Sequence, residues 1–186
     1  MCIRDRAWCA LKIMSKVYGF GDPDGFVFNM SVGYDLDGIK GRKVNTYINN
    51  MMDAGKTAQF KECKKVLTEL FPEEKDFIAS ISPNVSRSVT LSTLHGCPPQ
   101  EIERIASYLL KEKHLHTFVK CNPTILGYKT ARSILDSMGY DYIVFDEHHF
   151  NEDLQWEDAV PMFERLQKLA DKQDLEFGLK LSNTFP

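Results

Sequence analysis

The stretch SVTLSTLHGCPPQEIERIASYLLKEKHLHTFVKCNPT, residues 88–124, passes from one apolar β-run through a helix into a second β-run. Its first seven residues are rich in β-formers. His95, Gly96 and Cys97 then turn the chain into Pro98 and Pro99. Proline suits a helix's first turn, where the N–H it lacks would have no partner. Ile102, Ile105, Leu109 and Leu110 recur at helical spacing and predict that helix's buried stripe. His116–Thr124 predicts the next strand. Apolar strands joined through a helix belong to a parallel sheet covered by helices.

The alternation continues on both sides. Ala131, Ile134, Leu135 and Met138 predict a helix that Gly139 ends, and Tyr140–Phe150 predicts a third strand. Ala159, Met162, Phe163, Leu166 and Leu169 mark its helix, and Leu175–Phe185 is a fourth strand. Upstream, Gly25–Asp35 follows the turn Asp22-Pro23-Asp24-Gly25 and reads as a strand. Trp8, Leu11, Met14 and Val17 predict a helix before Gly19. Val44, Ile48 and Met51 predict another, and Phe60, Val66, Leu67 and Leu70 a third that stops before Pro72. A short helix over Glu73–Ile81 completes the set. Crossover repeats of about 30 residues suit a barrel or an open doubly wound sheet. No G-x-G-x-x-G and no Walker loop occurs, which weighs against nucleotide-binding open sheets.

The expectation is therefore an α/β fold, a partial, truncated parallel βα repeat of TIM-barrel type, with residues 7–186 forming one incomplete domain. The opening MCIRDR (residues 1–6) reads as translated sequencing-adapter sequence and is kept out of the fold reading. Truncation is expected because Pro186 follows directly on an apolar β-run whose covering helix is not in the sequence.

With 43% hydrophobic and 26% charged residues and a net charge of −3, the composition is that of a globular chain. Such a balance excludes an electrostatic footprint for nucleic acid. No apolar run approaches the roughly 18–20 residues of a membrane span, and Arg4, Asp5, Arg6 and Lys12 break up any signal-peptide core. The expected compartment is the cytoplasm. Cysteines 2, 9, 63, 97 and 121 contain no C-x-x-C pair, so they predict reduced thiols rather than zinc or iron–sulfur ligands.

In parallel βα folds, chemistry gathers beyond the carboxyl ends of the strands. The residues found there are Asp35, with Asn29 and Ser31 inside the strand before it; Ser92, Thr93, His95 and Cys97; Lys120, Cys121 and Asn122; Asp146, Glu147, His148 and His149; and Lys180, Ser182, Asn183 and Thr184. Lys120 and Lys180 each end an apolar run, where an ammonium enters a partly desolvated mouth. There it suits an anionic reduced flavin, a Schiff base, or simple reach to solvent. Asn122, Asn183 and Thr184 suit amide edges of a heterocycle or ordinary turn chemistry. Cys97, beside His95 at a helix opening, suits proton donation or a buried structural thiol. Residues 146–149 carry metal-ligand chemistry, but consecutive strand residues point to opposite faces, so no metal is expected. His114-x-His116 precedes its strand and lies on the stability side.

Several segments together resemble the YgfK family of selenate reductase subunits: GDPDGFVFNMSVGYDLDGI, TLSTLHGCPPQEIERIASYLL, HTFVKCNPTILGY, EDAVPMF and EFGLKLSNTFP. The resemblance covers most of residues 11–186. It implies a dihydroorotate dehydrogenase-like barrel, related to dihydropyrimidine dehydrogenases, near the N-terminal side of a much longer oxidoreductase subunit. That subunit would add an iron–sulfur, FAD and NAD(P)H module like the glutamate synthase small subunit. The implied activity is electron transfer between NAD(P)H and a reducible substrate through flavin and iron–sulfur centres. FMN would be held only by the complete barrel, and the fragment would be inactive alone. Its partners would be the remainder of its own polypeptide and other oxidoreductase subunits, with neither nucleic acid nor membrane.

Dihydropyrimidine dehydrogenases carry an Asn-Leu-Ser-Cys-Pro segment with the catalytic cysteine; here Thr90 stands for its asparagine and Thr93 for its cysteine, with Cys97 four residues on. Lys120 with Asn122 is similar to that family's lysine strand, and residues 180–184 combine it with its Thr-Asn-Thr strand end. The resemblance thus implies Lys120 or Lys180 beside the flavin, Asn122, Asn183 and Thr184 orienting ring groups, and Cys97 or His95 delivering a proton. Two rivals stand beside it. One is a Schiff-base lyase or aldolase barrel; the other is a non-catalytic docking barrel, for which Thr90 and Thr93 speak. Arg87, Arg104, Arg132 and Arg165 are scattered and form no oxyanion cluster that would name the oxidant.

Overall fold

A computed structural model describes residues 3–92 and 96–181. Along the chain run helix α1 (Ile3–Tyr18), strand β1 (Asn29–Val32), and helices α2 (Leu36–Lys40), α3 (Arg42–Met52), α4 (Ala58–Leu70) and α5 (Lys75–Ser80). Strand β2 (Ser88–Leu91), helix α6 (Pro99–Lys111), strand β3 (His116–Lys120), helices α7 (Tyr128–Ser137), α8 (Glu147–Glu152) and α9 (Trp156–Lys172), and strand β4 (Phe177–Lys180) follow. The chain divides into two compact units, Met1–Met30 with Arg42–Arg87, and Ser31–Gly41 with Ser88–Pro186.

The first unit is mostly helical. Its α1 keeps only Trp8 of the expected stripe buried: Leu11, Met14 and Val17 are exposed, and the buried positions are Asp5, Trp8, Cys9, Lys12, Ile13 and Ser15. Those numbers follow helical spacing too, but two of the side chains are charged, which an apolar count passes over. Each is satisfied. Asp5 pairs with Arg4 at 3.0 Å and lies 3.1 Å from the Thr57 hydroxyl, and Lys12 donates to Asp24 at 2.7 Å and to the Pro23 carbonyl. The Lys12 ammonium also lies 4.4 Å from the Trp8 ring centre, a cation–π contact. The Trp8 indole donates to the Ser82 carbonyl at 2.9 Å, and Phe26 and Phe28 stand edge-on to it at 5.5 Å each. Helix α4 starts where the Thr57 side chain accepts from the Phe60 N–H and ends before Pro72.

The second unit holds the sheet, in the order β1-β2-β3-β4. Strand β3 runs parallel to β2 and to β4, with Val89 opposite Thr117, Val119 opposite Leu179, and Lys120 opposite Lys180. Alternation along each strand sorts these residues into two faces. Val89, Leu91, Thr117, Val119, Phe177 and Leu179 share one; Ser88, Thr90, His116, Phe118, Gly178, Lys120 and Lys180 share the other. The first face meets the helices, since Phe163 of α9 packs on Phe177 at 6.2 Å. Ile102, Ile105, Leu109 and Leu110 of α6 are buried as expected, with Met162, Leu166 and Ala170 of α9. At the end of β2, the Ser92 N–H donates to the Val32 carbonyl at 2.8 Å. That approach requires Gly33, because a Cβ there would meet the Ser92 carbonyl oxygen at 2.7 Å.

Two strand expectations need correction. The strand expected over Gly25–Asp35 is limited to Asn29–Val32. Tyr140–Phe150 is not a strand at all: residues 140–146 are irregular, α8 starts at Glu147, and β3 pairs directly with β4. Local side chains explain this. Arg132 donates to the carbonyls of Tyr140, at 2.8 Å, and Ile143, removing them as ladder acceptors. Phe145 joins Tyr128 and Phe150 in an aromatic cluster with centroids 5.4–5.6 Å apart. Asp146 then caps α8 by accepting from the His148 N–H at 2.9 Å.

Candidate functional site

The carboxyl ends of β2 and β3 meet at a carboxylate that the sequence reading did not single out. Asp153, just after α8, is only 6% exposed. One of its oxygens accepts from the Gly96 N–H at 2.7 Å. The other accepts from the Thr124 hydroxyl at 2.6 Å and the Asn122 amide at 3.2 Å. Through these three bonds one side chain ties the turn after β2 to the turn after β3. Gly96 has φ +75°, a conformation that suits glycine and turns its N–H to this carboxylate. Gln155 braces the same corner, donating to the carbonyls of Phe150 and Asp153 at 2.7 and 2.6 Å.

Around this node the structure gathers three of the expected site residues. Cys97, Lys120 and Asn122 line one narrow cleft with Thr124 and Asp153. Its volume of about 10 Å³ admits at most a single water, so any larger ligand meets only its mouth. Burial, then the charge of Glu101, pushes the Cys97 thiol above its ordinary value, so at neutral pH it is a protonated thiol and not a thiolate. Cys121 is pushed up to about 11 by burial. Lys180 stands beside Lys120 as its cross-strand neighbour, on the face turned away from the covering helices. Among the described residues neither lysine makes an ion pair. His95, Asn183 and Thr184 lie outside the described residues, as does Thr93.

The acidic and histidine run at residues 146–149 falls on the start of α8 and not in a strand. His148 turns to Glu152 one turn on, at 3.2 Å, with both exposed. Among the described residues no group of three or more His, Cys, Asp or Glu side chains forms a metal site. His116 accepts the Glu176 N–H at 3.0 Å, a bond at the amino end of the sheet.

A second cavity of about 640 Å³ lies on the helix side of β4, lined by Cys121, Asn122, Leu126, Trp156, Phe163 and Leu179 among others. Its walls are mainly apolar, and Trp156 and Leu181 on them are largely exposed.

The family model of the oxidoreductase YgfK N-terminal TIM-barrel domain matches residues 5–186. The chain belongs to this family. Two relatives named "Putative oxidoreductase YgfK", from Escherichia coli K12 and O157:H7, are each 42% identical to it over 195 residues. The match covers 96% of this chain and 19% of each relative, so the chain spans about a fifth of their length. No solved structure matches. The YgfK-family assignment agrees with the parallel α/β arrangement of β2, β3 and β4 and with an open, partial barrel sheet. No helix among the described residues is long and apolar enough to cross a membrane.

Proposed function

We propose that this YgfK-family domain forms part of a flavin and substrate cavity in a longer oxidoreductase, which passes electrons between NAD(P)H and a reducible substrate through flavin and iron–sulfur centres. One observation carries the reading. Lys120 and Lys180 are register partners on parallel strands about 4.8 Å apart, at the strand ends and on the face opposite the one that carries Val119 and Leu179. Like charges side by side on one face are destabilising by themselves. An anionic ligand across both relieves that cost.

The donor set fits the ring of FMN. An ammonium group complements the single negative charge of a reduced ring, and Asn122, fixed by Asp153, presents amide donors and acceptors. A bound flavin supplies the two-electron acceptor. The chain's own residues do the rest: Lys120 and Lys180 hold negative charge, Asn122 orients a ring edge, and Cys97 keeps a proton at sulfur for delivery. No phosphate cradle occurs among the described residues, and in such barrels it comes from later strands. The remainder of a longer polypeptide would supply it and would cover the apolar cavity beside β4.

The test is the flavin content of the full-length protein. Purified protein should carry FMN in stoichiometric amount, and Lys120→Ala with Lys180→Ala should lower occupancy at least tenfold. A flavin-free full-length protein that instead traps a carbonyl substrate on one of these lysines with borohydride would favour a Schiff-base enzyme and defeat the proposal.

A further inference from the structure

The first unit carries two thiols that the flavin reading does not use. Cys9 is buried on the inner face of α1, and Cys63 on α4 is half-buried. Both line a cleft of about 390 Å³ together with Arg6, Gln59 and Glu62. Cys63 is near enough to Cys9 to strengthen that thiol's hold on its proton, α1 and α4 pack on each other, and both thiols are free. A disulfide needs Cβ atoms about 3.5–4.5 Å apart; side-chain rotation turns the two sulfurs toward each other, and a small shift of α1 against α4, which pack together, sets the Cβ separation. We propose that Cys9 and Cys63 are a reversible modification site, a dithiol that a peroxide closes into a disulfide stapling α1 to α4.

The roles follow from access. Cys63, the more open of the pair, attacks one peroxide oxygen as thiolate. The O–O bond breaks, leaving a Cys63 sulfenic acid and a hydroxide that takes up a proton as water. Sulfur of Cys9 then attacks sulfur of Cys63: the S–S bond forms, the S–O bond breaks, and the Cys9 proton leaves with the departing hydroxide as a second water. Two thiols and one hydrogen peroxide give one disulfide and two waters, with sulfur oxidised and peroxide reduced. Burial, and then the neighbouring Cys63, push Cys9 up to about 12, while Lys64 opposes that shift. Cys9 therefore stays protonated and unreactive toward the oxidant until a sulfenic acid is placed against it.

The experiment exposes the folded full chain to hydrogen peroxide, blocks remaining thiols with iodoacetamide, and maps peptides without reduction. The expected product joins the Cys9 and Cys63 peptides, is lighter than their sum by two hydrogens, and reverts with dithiothreitol. In Cys9→Ser, Cys63 should stall as a sulfenic acid that dimedone captures; in Cys63→Ser, Cys9 should stay alkylatable after unfolding. Oxidation of Cys63 to sulfinic acid, or its pairing with another cysteine, while wild-type Cys9 remains reduced would overturn the proposal. Because the wild-type map alone separates these outcomes, a variant that fails to fold does not blunt the test.

Discussion

Asp153 holds three donors from two turns, and one of them, Thr124, is fully enclosed. Removing the carboxylate strands these groups. Asp153→Ala should therefore cost about 3 kcal/mol, the scale of losing three hydrogen bonds and leaving a buried hydroxyl unpaired, read as a lower urea midpoint. An unchanged midpoint would show the node to be incidental. At Cys121 the thiol is held up to about 11 by burial. Its alkylation should stay slow at pH 8 and accelerate only toward pH 11. Because the folded value lies above the ordinary 9.0, burial of the neutral thiol supports the fold below pH 9, and that support is lost as pH rises through 11. Full reactivity at pH 8 would place the thiol at the surface. At this scale the strand-end positions of the two lysines were legible, since each closes an apolar run. Asp153 was not, because its partners lie 29–57 residues away in sequence.

Among the elements, β2, α6 and β3 were legible because propensity, proline placement and apolar spacing agree there. Two elements were misread for physical reasons. In α1, the buried stripe contains Asp5 and Lys12, whose charges are satisfied by partners invisible in a periodicity. In residues 140–146, β-forming side chains are drawn into an aromatic cluster while Arg132 takes the backbone carbonyls. The contact between α6 and α9 carries its own prediction. Two hydrogen bonds from Arg165, at 2.7 and 2.8 Å, hold the Glu103 carboxyl below its ordinary 4.5. A depressed carboxylate contributes stability above pH 4.5 and loses it as pH falls through the lowered value. Glu103→Gln should flatten the acid limb of stability slightly and leave the neutral region almost unmoved, because the pair is solvent-screened. An acid limb as steep as wild type would assign that limb to other carboxylates.

For the whole molecule, the chain belongs to a TIM-barrel family, spans about a fifth of its relatives' length, and has β4 bordering an exposed apolar cavity. If a longer polypeptide covers that cavity, hydroxyl-radical footprinting of the full-length protein should find Trp156 and Leu181 protected, with Tyr142 as the reactive reference. Equal labelling of all three would leave the cavity open to solvent. The central claim is that the ammonium pair at the ends of β3 and β4 holds negative charge on a flavin. It is tested most directly by the flavin midpoint potential in the full-length protein, in wild type and in Lys120→Gln and Lys180→Gln. Losing a cation beside a reduced, anionic ring makes reduction harder. At least one variant should titrate lower by about 30 mV or more, the equivalent of about 1.4 kcal/mol for a two-electron couple. Potentials equal to wild type in both variants and in the double variant would contradict the account.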